Sequence, residues 1–285
     1  MTVPNILSIA GSDPSGGAGV QADLKTIGAM GGYGMAALTA LTAQNTKGVQ
    51  GVSRVEPDFV AHQIRAVFED VRVDAVKLGM LADAPIALSV AEALAECGAR
   101  NVVLDPVMVA TSGHRLLDEA AVAAIRDRLA PLARVMTPNT DEAAVLLGGP
   151  IPADRGAMER AAVDLLSLGP QAILLKGGHL GGADSPDLLA TRDGLTWLEA
   201  ARASGRVIHG GGCSFASAIA TGIGRGESVE RAARRAKAFV TAAVRTADRL
   251  SVGSGSRPLD HFGPAARVAV EGADNGTDDG TNGED

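Results

Sequence analysis

The chain has 285 residues, of which 46% are hydrophobic and 2% are aromatic. A chain of this length forms one large α/β domain or two small ones. Its core has to be filled by Ala, Val, Leu and Ile, as in parallel strands covered by helices. The formal net charge is −7, but residues 271–285 hold six acids and no base, so the rest is close to neutral. This balance excludes a broad basic surface for nucleic acid.

The sequence also argues against export and membrane insertion. The first ten residues have no basic region ahead of a long apolar run, and no segment has the apolar length of a membrane span. The two cysteines, Cys97 and Cys213, are typical of reduced thiols rather than of a disulfide framework. We therefore expect a cytoplasmic protein without a nucleic-acid or membrane partner.

A glycine-rich loop follows the first predicted strand. The strand covers residues 6–10, the loop residues 11–19, and a helix with apolar side chains at helical spacing residues 20–30. The loop lacks the spacing of a dinucleotide fingerprint, and no Gly-Lys-Ser/Thr follows it, so it is not a Walker A loop. It is either a plain strand–helix connection or a substrate loop, and its glycine density favours the second.

Two polar residues are candidates for substrate contacts near this loop. Asp23 lies one turn into the helix, and Gln44 follows an apolar strand predicted at residues 36–41. A glutamine amide donates and accepts hydrogen bonds at once, which suits a heterocycle with an amino group beside a ring nitrogen. Each is also compatible with a plainer role, as a helix-surface acid or a loop cap.

Further along the chain, short apolar strands alternate with helices. Strands are predicted at residues 75–78, 102–104, 135–136 and 173–175, and helices at residues 57–69, 84–96 and 140–147. This alternation predicts a three-layer α/β fold, in which a mostly parallel central sheet is covered by helices on both faces.

The carboxyl ends of the predicted strands carry residue types suited to binding and catalysis. In open α/β sheets, ligands bind at these ends. The residues found there are Gly11, Met80, Asp105, Asn139 with Glu142, Lys176, and Gly210 to Cys213. One such coincidence means little, but six together predict one functional site along this edge of the sheet.

The last third of the chain contains a hairpin and two further helices. Residues 184–199 are predicted to form the hairpin around an Asp193-Gly194 turn, with Trp197 packed there. A helix at residues 227–250 is predicted to pack against the helix that follows Cys213. We expect one domain over residues 1–262 and a disordered acidic tail over residues 263–285, of which the part after about Gly272 is dispensable.

Residues 207–224 combine a β-branched pair, three glycines, a cysteine and an apolar helix pattern. Gly210, Gly211 and Gly212 let backbone N–H groups approach a ligand, and the helix start has unpaired N–H groups of its own. This arrangement favours an anion site. At a helix start, the pKa of the Cys213 thiol is expected to fall, so that a thiolate accepts a proton from a substrate hydroxyl. The alternative is a turn before a buried helix, with Cys213 as a small hydrophobic residue.

Together these residues supply what phosphoryl transfer needs: a metal site, positive charge on the phosphates, an anion hole and a base. Asp105 and Glu142 offer hard oxygen ligands for Mg²⁺. Lys176 offers a point charge for nucleotide phosphates. The chain has only five lysines, one of which is Lys77, so each of them merits attention. The glycine loop offers the anion hole, and the thiol beside it offers the base.

Seven motifs carry a resemblance to a known family. They are AGSDPSGGAGVQADLKT (residues 10–26), ALTAQNTKGVQGV (40–52), VKLGML (76–81), VLDPVMVATSG (103–113), TPNTDEA (137–143), LLKGGH (174–179) and HGGGCS (209–214). Over residues 5–250, the chain resembles the hydroxymethylpyrimidine/phosphomethylpyrimidine kinases of thiamine synthesis, which have a ribokinase-like fold. That family phosphorylates the hydroxymethyl group first and the resulting monophosphate second.

The resemblance implies a role for each candidate residue. The pyrimidine would be held by Gly11, Asp23, Gln44, Met80 and Val107. ATP and Mg²⁺ would be bound by Asp105, Asn139, Glu142, Lys176 and Ser214, with Asp105 and Glu142 as the metal ligands. Cys213 would be the base, and Gly210, Gly211 and Gly212 would form the anion hole.

One departure and two alternatives remain open. The family usually has threonine where this chain has Gly211, so we expect the anion hole to persist in a more flexible loop. A pyridoxal kinase of the same superfamily is the alternative enzyme, although Gln44 and its motif favour the pyrimidine. A non-catalytic nucleotide-binding module would be expected to lack Asp105, Lys176 or Cys213, and all three are present. The sequence is compatible with a homodimer but does not determine the oligomeric state.

Overall fold

The computed structural model describes residues 2–108, 118–178, 180–202 and 208–263. Their strands are β1 Asn5–Ser12, β2 Tyr33–Asn45, β3 Gly48–Arg54, β4 Ala75–Leu78, β5 Val102–Leu104, β6 Ala133–Met136, β7 Ala172–Lys176, β8 Asp187–Thr191, β9 Gly194–Leu198, β10 Ile208–His209 and β11 Arg257–Pro258. Their α-helices are α1 Gly19–Ala29, α2 Pro57–Asp70, α3 Ala84–Glu96, α4 Glu119–Ala124, α5 Thr140–Leu147, α6 Arg155–Leu166, α7 Gly211–Gly224 and α8 Val229–Thr246.

The main sheet of the described residues has nine strands in the order β3-β2-β1-β4-β5-β6-β7-β8-β9. Its central strands, from β2 to β7 in this order, are parallel. At the edges, β3 pairs with β2 and the β8–β9 hairpin pairs with β7, in both cases antiparallel. Because the central strands are parallel, their carboxyl ends meet at one edge, as the sequence predicts.

The sheet has a hydrophobic core on each face. Alternate residues of a strand point to opposite faces, so Ile173 and Leu175 of β7 join one core while Ala172 and Leu174 join the other. Helices α2 to α6 cover the first core, and α1, α7 and α8 cover the second. The predicted three-layer α/β fold is therefore confirmed.

Sequence patterns predict one of two antiparallel features of the sheet and miss the other. The predicted hairpin is present as β8 and β9, joined at Asp193, and the indole of Trp197 donates to Glu159 at 3.1 Å. In contrast, β3 was not predicted, because its residues are largely exposed and show no apolar alternation. It extends the β2 strand into a two-stranded arm whose inner side carries Gln44.

Two expectations about the rest of the chain have different outcomes. Within the described ranges, every helix is too short or too polar to cross a bilayer. The predicted acidic tail lies outside the described residues apart from Gly263, so its dispensability stays a prediction.

Residues 257–263 form what we call the C-terminal strap. Its strand β11 pairs with β10 immediately before the glycine loop. The strap also buries His261, whose Nε2 lies 2.9 Å from the hydroxyl oxygen of Ser214 on α7. Burial lowers the pKa of His261 to about 4, with a smaller contribution from the charge of Lys25. The strap thus holds the first turn of α7 through a neutral imidazole.

We predict that the strap makes stability depend on pH. The pKa of His261 is lower in the folded chain than its ordinary value of 6.5. The stabilisation is therefore complete above pH 6.5 and is lost as the pH falls towards 4. We expect the free energy of unfolding to fall by roughly 1–3 kcal/mol across this range, and His261→Gln to remove that part of the dependence.

The measurement is urea unfolding of both proteins across this pH range. Replacement of the exposed His62 in His62→Gln serves as the matched control and should leave the dependence unchanged. Identical pH profiles for wild type and His261→Gln would contradict the role given to the strap.

Candidate functional site

A cavity of about 830 Å³ opens at the carboxyl edge of the parallel strands. Loops that follow the central strands form its walls, together with the start of α7 and one face of α8. Twelve of the predicted site residues line it: Gly11, Gln44, Met80, Asp105, Val107, Asn139, Glu142, Lys176, Gly210, Gly211, Gly212 and Cys213. The fold brings these residues together from positions far apart in the sequence, while their individual roles remain predictions.

The glycine loop and the start of α7 present backbone N–H groups to the cavity. Gly210 has φ of 80°, and a Cβ there would collide with the carbonyl oxygen of Gly17, so only glycine fits. The first bond of the helical ladder runs from the N–H of Ser214 to the Gly210 carbonyl at 3.0 Å. The N–H groups of residues 211–213 therefore stand outside the helical ladder, at a helix start that lines the cavity.

A lysine and two carboxylates form an ionic cluster at the ends of β5, β6 and β7. The Nζ of Lys176 donates to Asp105 at 2.8 Å and lies 3.8 Å from a carboxylate oxygen of Glu142. Asp105 and Glu142 are almost completely buried. A Cβ on Gly212 would lie 3.2 Å from the Lys176 ammonium, so the glycine loop packs directly against this cluster.

The start of α5 fixes the position of Glu142. Asn139 caps the helix by accepting from the N–H of Glu142 at 2.8 Å, and its own N–H donates to the Glu142 carboxylate at 2.7 Å. This reciprocal capping box engages the amide oxygen of Asn139. Asn139 lines the cavity, but its evident contribution is to hold Glu142 in place.

The two carboxylates have the chemistry of a magnesium site. Burial raises the pKa of Glu142 to about 7, against the opposing effect of Lys176 and with a further increase from Asp105. A divalent cation would favour the ionised form of both groups. The described residues contain no cluster of three or more His, Cys, Asp or Glu with metal-binding geometry. Two carboxylates nevertheless fit Mg²⁺, which proteins often hold through one or two carboxylates and substrate phosphates.

The prediction of a lowered pKa for the Cys213 thiol is wrong. Burial raises it to about 11, although Lys77 lowers it and Asp23 and Asp105 add to the increase. The N–H of Gly19 donates to the sulfur, which lowers the pKa slightly. The sequence suggested only the helix start, whereas the dense surroundings of the sulfur outweigh the amides there.

Two predicted site residues do not line the cavity. Asp23 is fully buried, and its carboxylate is bound by Lys77 at 2.8 and 2.9 Å, Ser8 at 2.6 Å and Ser217 at 2.8 Å. Ser214 is also fully buried, and its hydroxyl faces His261 rather than the cavity. The predicted direct contacts of both side chains with ligands are therefore corrected. Both lie on helices just behind the cavity wall.

A network around His209 was not predicted. The Nε2 of His209 lies 2.8 Å from Asp13 and 3.1 Å from the amide nitrogen of Gln44. The Asp13 carboxylate also accepts from the N–H of Ser15 at 2.9 Å and of Ala18 at 2.8 Å. Burial alone would raise the pKa of Asp13, but its hydrogen bonds, chiefly that from His209, lower it to about 2. The ionised Asp13 thus organises the glycine-rich loop, and its bond to His209 places that loop beside Gln44.

A second unpredicted pair lies on the opposite wall. The Nζ of Lys237 donates to Asp187 and to the carbonyl of Ser185, both at 2.6 Å. Burial raises the pKa of Asp187, while Lys237 lowers it. The position of Lys237 on a long amphipathic helix gave no local signal, because nothing near it in the sequence marks a site.

Comparison with known proteins gives one consistent family. The profile of the family described as phosphomethylpyrimidine kinase matches residues 13–260. The hydroxymethylpyrimidine/phosphomethylpyrimidine kinase of Salmonella typhimurium is 49% identical over 258 residues, which cover 90% of this chain and 97% of that protein.

Two solved structures have the same fold. The phosphomethylpyrimidine kinase of Clostridium difficile has a TM-score of 0.76 at 39% identity, covering 85% of this chain and 100% of that one. The ADP complex of Bacillus subtilis pyridoxal kinase has a TM-score of 0.85 at 33% identity, covering 93% of this chain and 100% of that one.

We predict opposite outcomes for two substitutions in the glycine loop. A Cβ on Gly211 would meet nothing closer than Ile208 at 3.9 Å, so Gly211→Thr fits and reduces the flexibility of the unfolded chain. We expect Gly211→Thr to keep kcat within a few-fold of wild type and to stabilise by about 0.4–1 kcal/mol. Gly210→Ala should displace the loop and lower kcat by about 10²-fold or more.

The two variants control for each other, since each replaces one of two adjacent glycines in the same loop. ATP turnover with the pyrimidine and thermal unfolding are the measurements. A Gly210→Ala enzyme with wild-type kcat would contradict the anion hole.

Proposed function

Because the chain belongs to the phosphomethylpyrimidine kinase family, we propose that it phosphorylates 4-amino-5-hydroxymethyl-2-methylpyrimidine with ATP, and then its monophosphate to the diphosphate, in thiamine synthesis. The acceptor would lie against Gly11, Gln44, Met80 and Val107. The phosphates of ATP would lie against Lys176, with Mg²⁺ held by Asp105 and Glu142. We further propose that the protein acts in the cytoplasm on small molecules, as a monomer or a homodimer.

One observation carries this proposal: the glycine loop contacts both halves of the cavity. Gly210 packs against Gly17, in the loop that His209 binds through Asp13 beside Gln44 on the acceptor side. Gly212 packs against Lys176 and Asp105 on the nucleotide side. A phosphoryl group passing between the two sides would therefore meet the N–H groups of this loop.

The chemistry assigns each group a task. The loop N–H groups would stabilise the negative charge on the transferred phosphoryl group, and Lys176 would balance the charge of the nucleotide phosphates. When bound, Mg²⁺ neutralises charge on the phosphates. As the acceptor oxygen bonds to the γ-phosphorus, the bond from that phosphorus to ADP would break, and the hydroxyl proton would move to the thiolate sulfur of Cys213.

The raised pKa of Cys213 adds a condition to this scheme. A thiol with a pKa of about 11 is ionised in only about one molecule in 10⁴ at pH 7. The sulfur therefore has to lose its proton to solvent before it can act as a base. We infer that kcat rises with pH above neutrality until the thiol is ionised.

Pyridoxal kinase is the alternative that the fold leaves open, since a solved pyridoxal kinase shares it at 33% identity. The pyrimidine kinase of Salmonella typhimurium is more similar, at 49% identity. Gln44 also supports the pyrimidine, because it lines the cavity on the acceptor side, with its amide nitrogen 3.1 Å from His209. An amide at this position offers both a donor and an acceptor to the ring.

The test of the proposal is a comparison of acceptors. ATP turnover is measured with hydroxymethylpyrimidine, its monophosphate, pyridoxal and ribose at equal concentrations. We expect kcat/KM to be highest for the first two. A preference for pyridoxal would establish the alternative enzyme, and nucleotide binding without turnover of any acceptor would indicate a non-catalytic module.

We predict that Lys176→Met mainly impairs ATP use. The ammonium lies in the ionic cluster on the nucleotide side, so KM for ATP should rise while KM for the pyrimidine stays nearly constant. Because two buried carboxylates lose their partner, the free energy of unfolding should fall by about 3–5 kcal/mol. The assays are therefore run well below the melting temperature of the variant. The exposed Lys47 provides the control variant Lys47→Met. A raised KM for the pyrimidine alone would reverse the assignment of the two sides.

We predict that Cys213→Ala lowers kcat by about 10²- to 10⁴-fold with little change in either KM, because a base acts mainly in the transition state. The matched control is Cys97→Ala, which removes the other cysteine. Wild-type turnover by Cys213→Ala would remove the thiol from the mechanism and leave it as a packing residue.

A further inference from the structure

A buried ion pair lies behind the wall of the cavity, outside the machinery described above. Lys77 and Asp23 are both fully buried, and the ammonium binds both oxygens of the carboxylate at 2.8 and 2.9 Å. The hydroxyls of Ser8 and Ser217 complete the carboxylate's bonds. A buried ion pair is weak evidence for stability, because apolar residues of similar volume often do as well. Its retention therefore invites a functional explanation.

The packing of α1 on α7 places this pair beside Cys213. The N–H of Gly19, at the start of α1, donates to the sulfur of Cys213. Four residues further along both helices, Asp23 accepts from Ser217 at 2.8 Å. The two contacts are therefore one helical turn apart, roughly 6 Å along parallel helices. The ion pair lies one turn below the thiol.

The ammonium is also held in place by its own strand. Lys77 belongs to β4, where it pairs in register with Ser8 of β1. A Cβ on Gly79 would come 2.7 Å from the Lys77 ammonium, so a side chain there would press on it. The ammonium bonds to both oxygens of Asp23, which is anchored one helical turn from Cys213 through Ser217, and its charge acts on the sulfur from there.

We propose that Lys77 is a positioning residue whose buried ammonium stabilises the thiolate of Cys213, and that Asp23 limits this effect by sharing the positive charge. This inference rests on the proposed role of Cys213 as the base. The charged groups that act on the thiol are Lys77 from β4, Asp23 from α1, Asp105 after β5 and Lys176 at the end of β7. Lys77 is the strongest of the groups that favour the thiolate.

The chain has only two cysteines, which makes the test direct. In a Cys97→Ser background, Cys213 is the single thiol. Its rate of alkylation by iodoacetamide is measured against pH, with EDTA and without nucleotide, to give an apparent pKa. The comparison is between Asp23→Asn and the double variant Asp23→Asn with Lys77→Met, which differ in the ammonium alone.

We expect Asp23→Asn to lower the apparent pKa of Cys213 by about one unit, and the double variant to raise it above that of the background. At neutral pH, alkylation of Asp23→Asn should be about threefold faster than the background, after allowing for the weaker nucleophilicity of a more acidic thiolate. The pH profile of kcat should shift in the same direction. Ser217→Ala, which removes a hydrogen bond but no charge, should leave the apparent pKa nearly unchanged.

Equal apparent pKa values in Asp23→Asn and the double variant would overturn the proposal. If Asp23→Asn does not fold, the neutral double variant is compared with the background, and an unchanged apparent pKa again overturns it. The alkylation result does not depend on turnover. Full activity of Cys213→Ala would refute the proposed role of Cys213 as the base. It would not affect a measured influence of Lys77 on the pKa of the thiol.

Discussion

A charge removed from water has to be paired, and this constraint shapes the carboxyl edge of the sheet. Four carboxylates are buried there against a cationic or imidazole partner: Asp105 with Lys176, Asp23 with Lys77, Asp187 with Lys237, and Asp13 with His209. Each pair joins segments that are far apart in the sequence. Removing one partner would leave the other charge buried and unpaired, which is strongly destabilising. The pairs therefore fix the geometry of the cavity as well as its electrostatics.

The sequence located most of the site because parallel strands end at one edge. Asp105, Glu142 and Lys176 each follow a short apolar strand, so the predicted topology alone brings them together. The helix periodicity around Asp23 could not distinguish a carboxylate that faces the cavity from one that faces a lysine in the sheet. That lysine lies 54 residues away in the sequence, and a pairing at such distance leaves no local signal. The pKa of Cys213 was mispredicted for the same reason, since burial depends on the whole fold.

The fold accommodates more than one acceptor, so specificity depends on a few side chains. Pyridoxal and pyrimidine kinases share this architecture, as the solved structures demonstrate. The arm formed by β2 and β3 carries Gln44 to the cavity, where its amide nitrogen lies 3.1 Å from His209. Because His209 directly precedes the glycine loop, the proposed acceptor contact and the proposed anion hole would be mechanically connected. The C-terminal strap supports the same loop from its other side through β10.

The central claim is that one cavity phosphorylates the hydroxymethyl group of the pyrimidine first and the resulting monophosphate second. Phosphorus NMR of a mixture of the protein, Mg²⁺, ATP and hydroxymethylpyrimidine follows this reaction directly. The account predicts a phosphomonoester signal coupled to the methylene protons, followed by its replacement with the two signals of a diphosphate ester as ADP accumulates. Inorganic phosphate as the sole new signal, or ATP that remains unchanged, would contradict it.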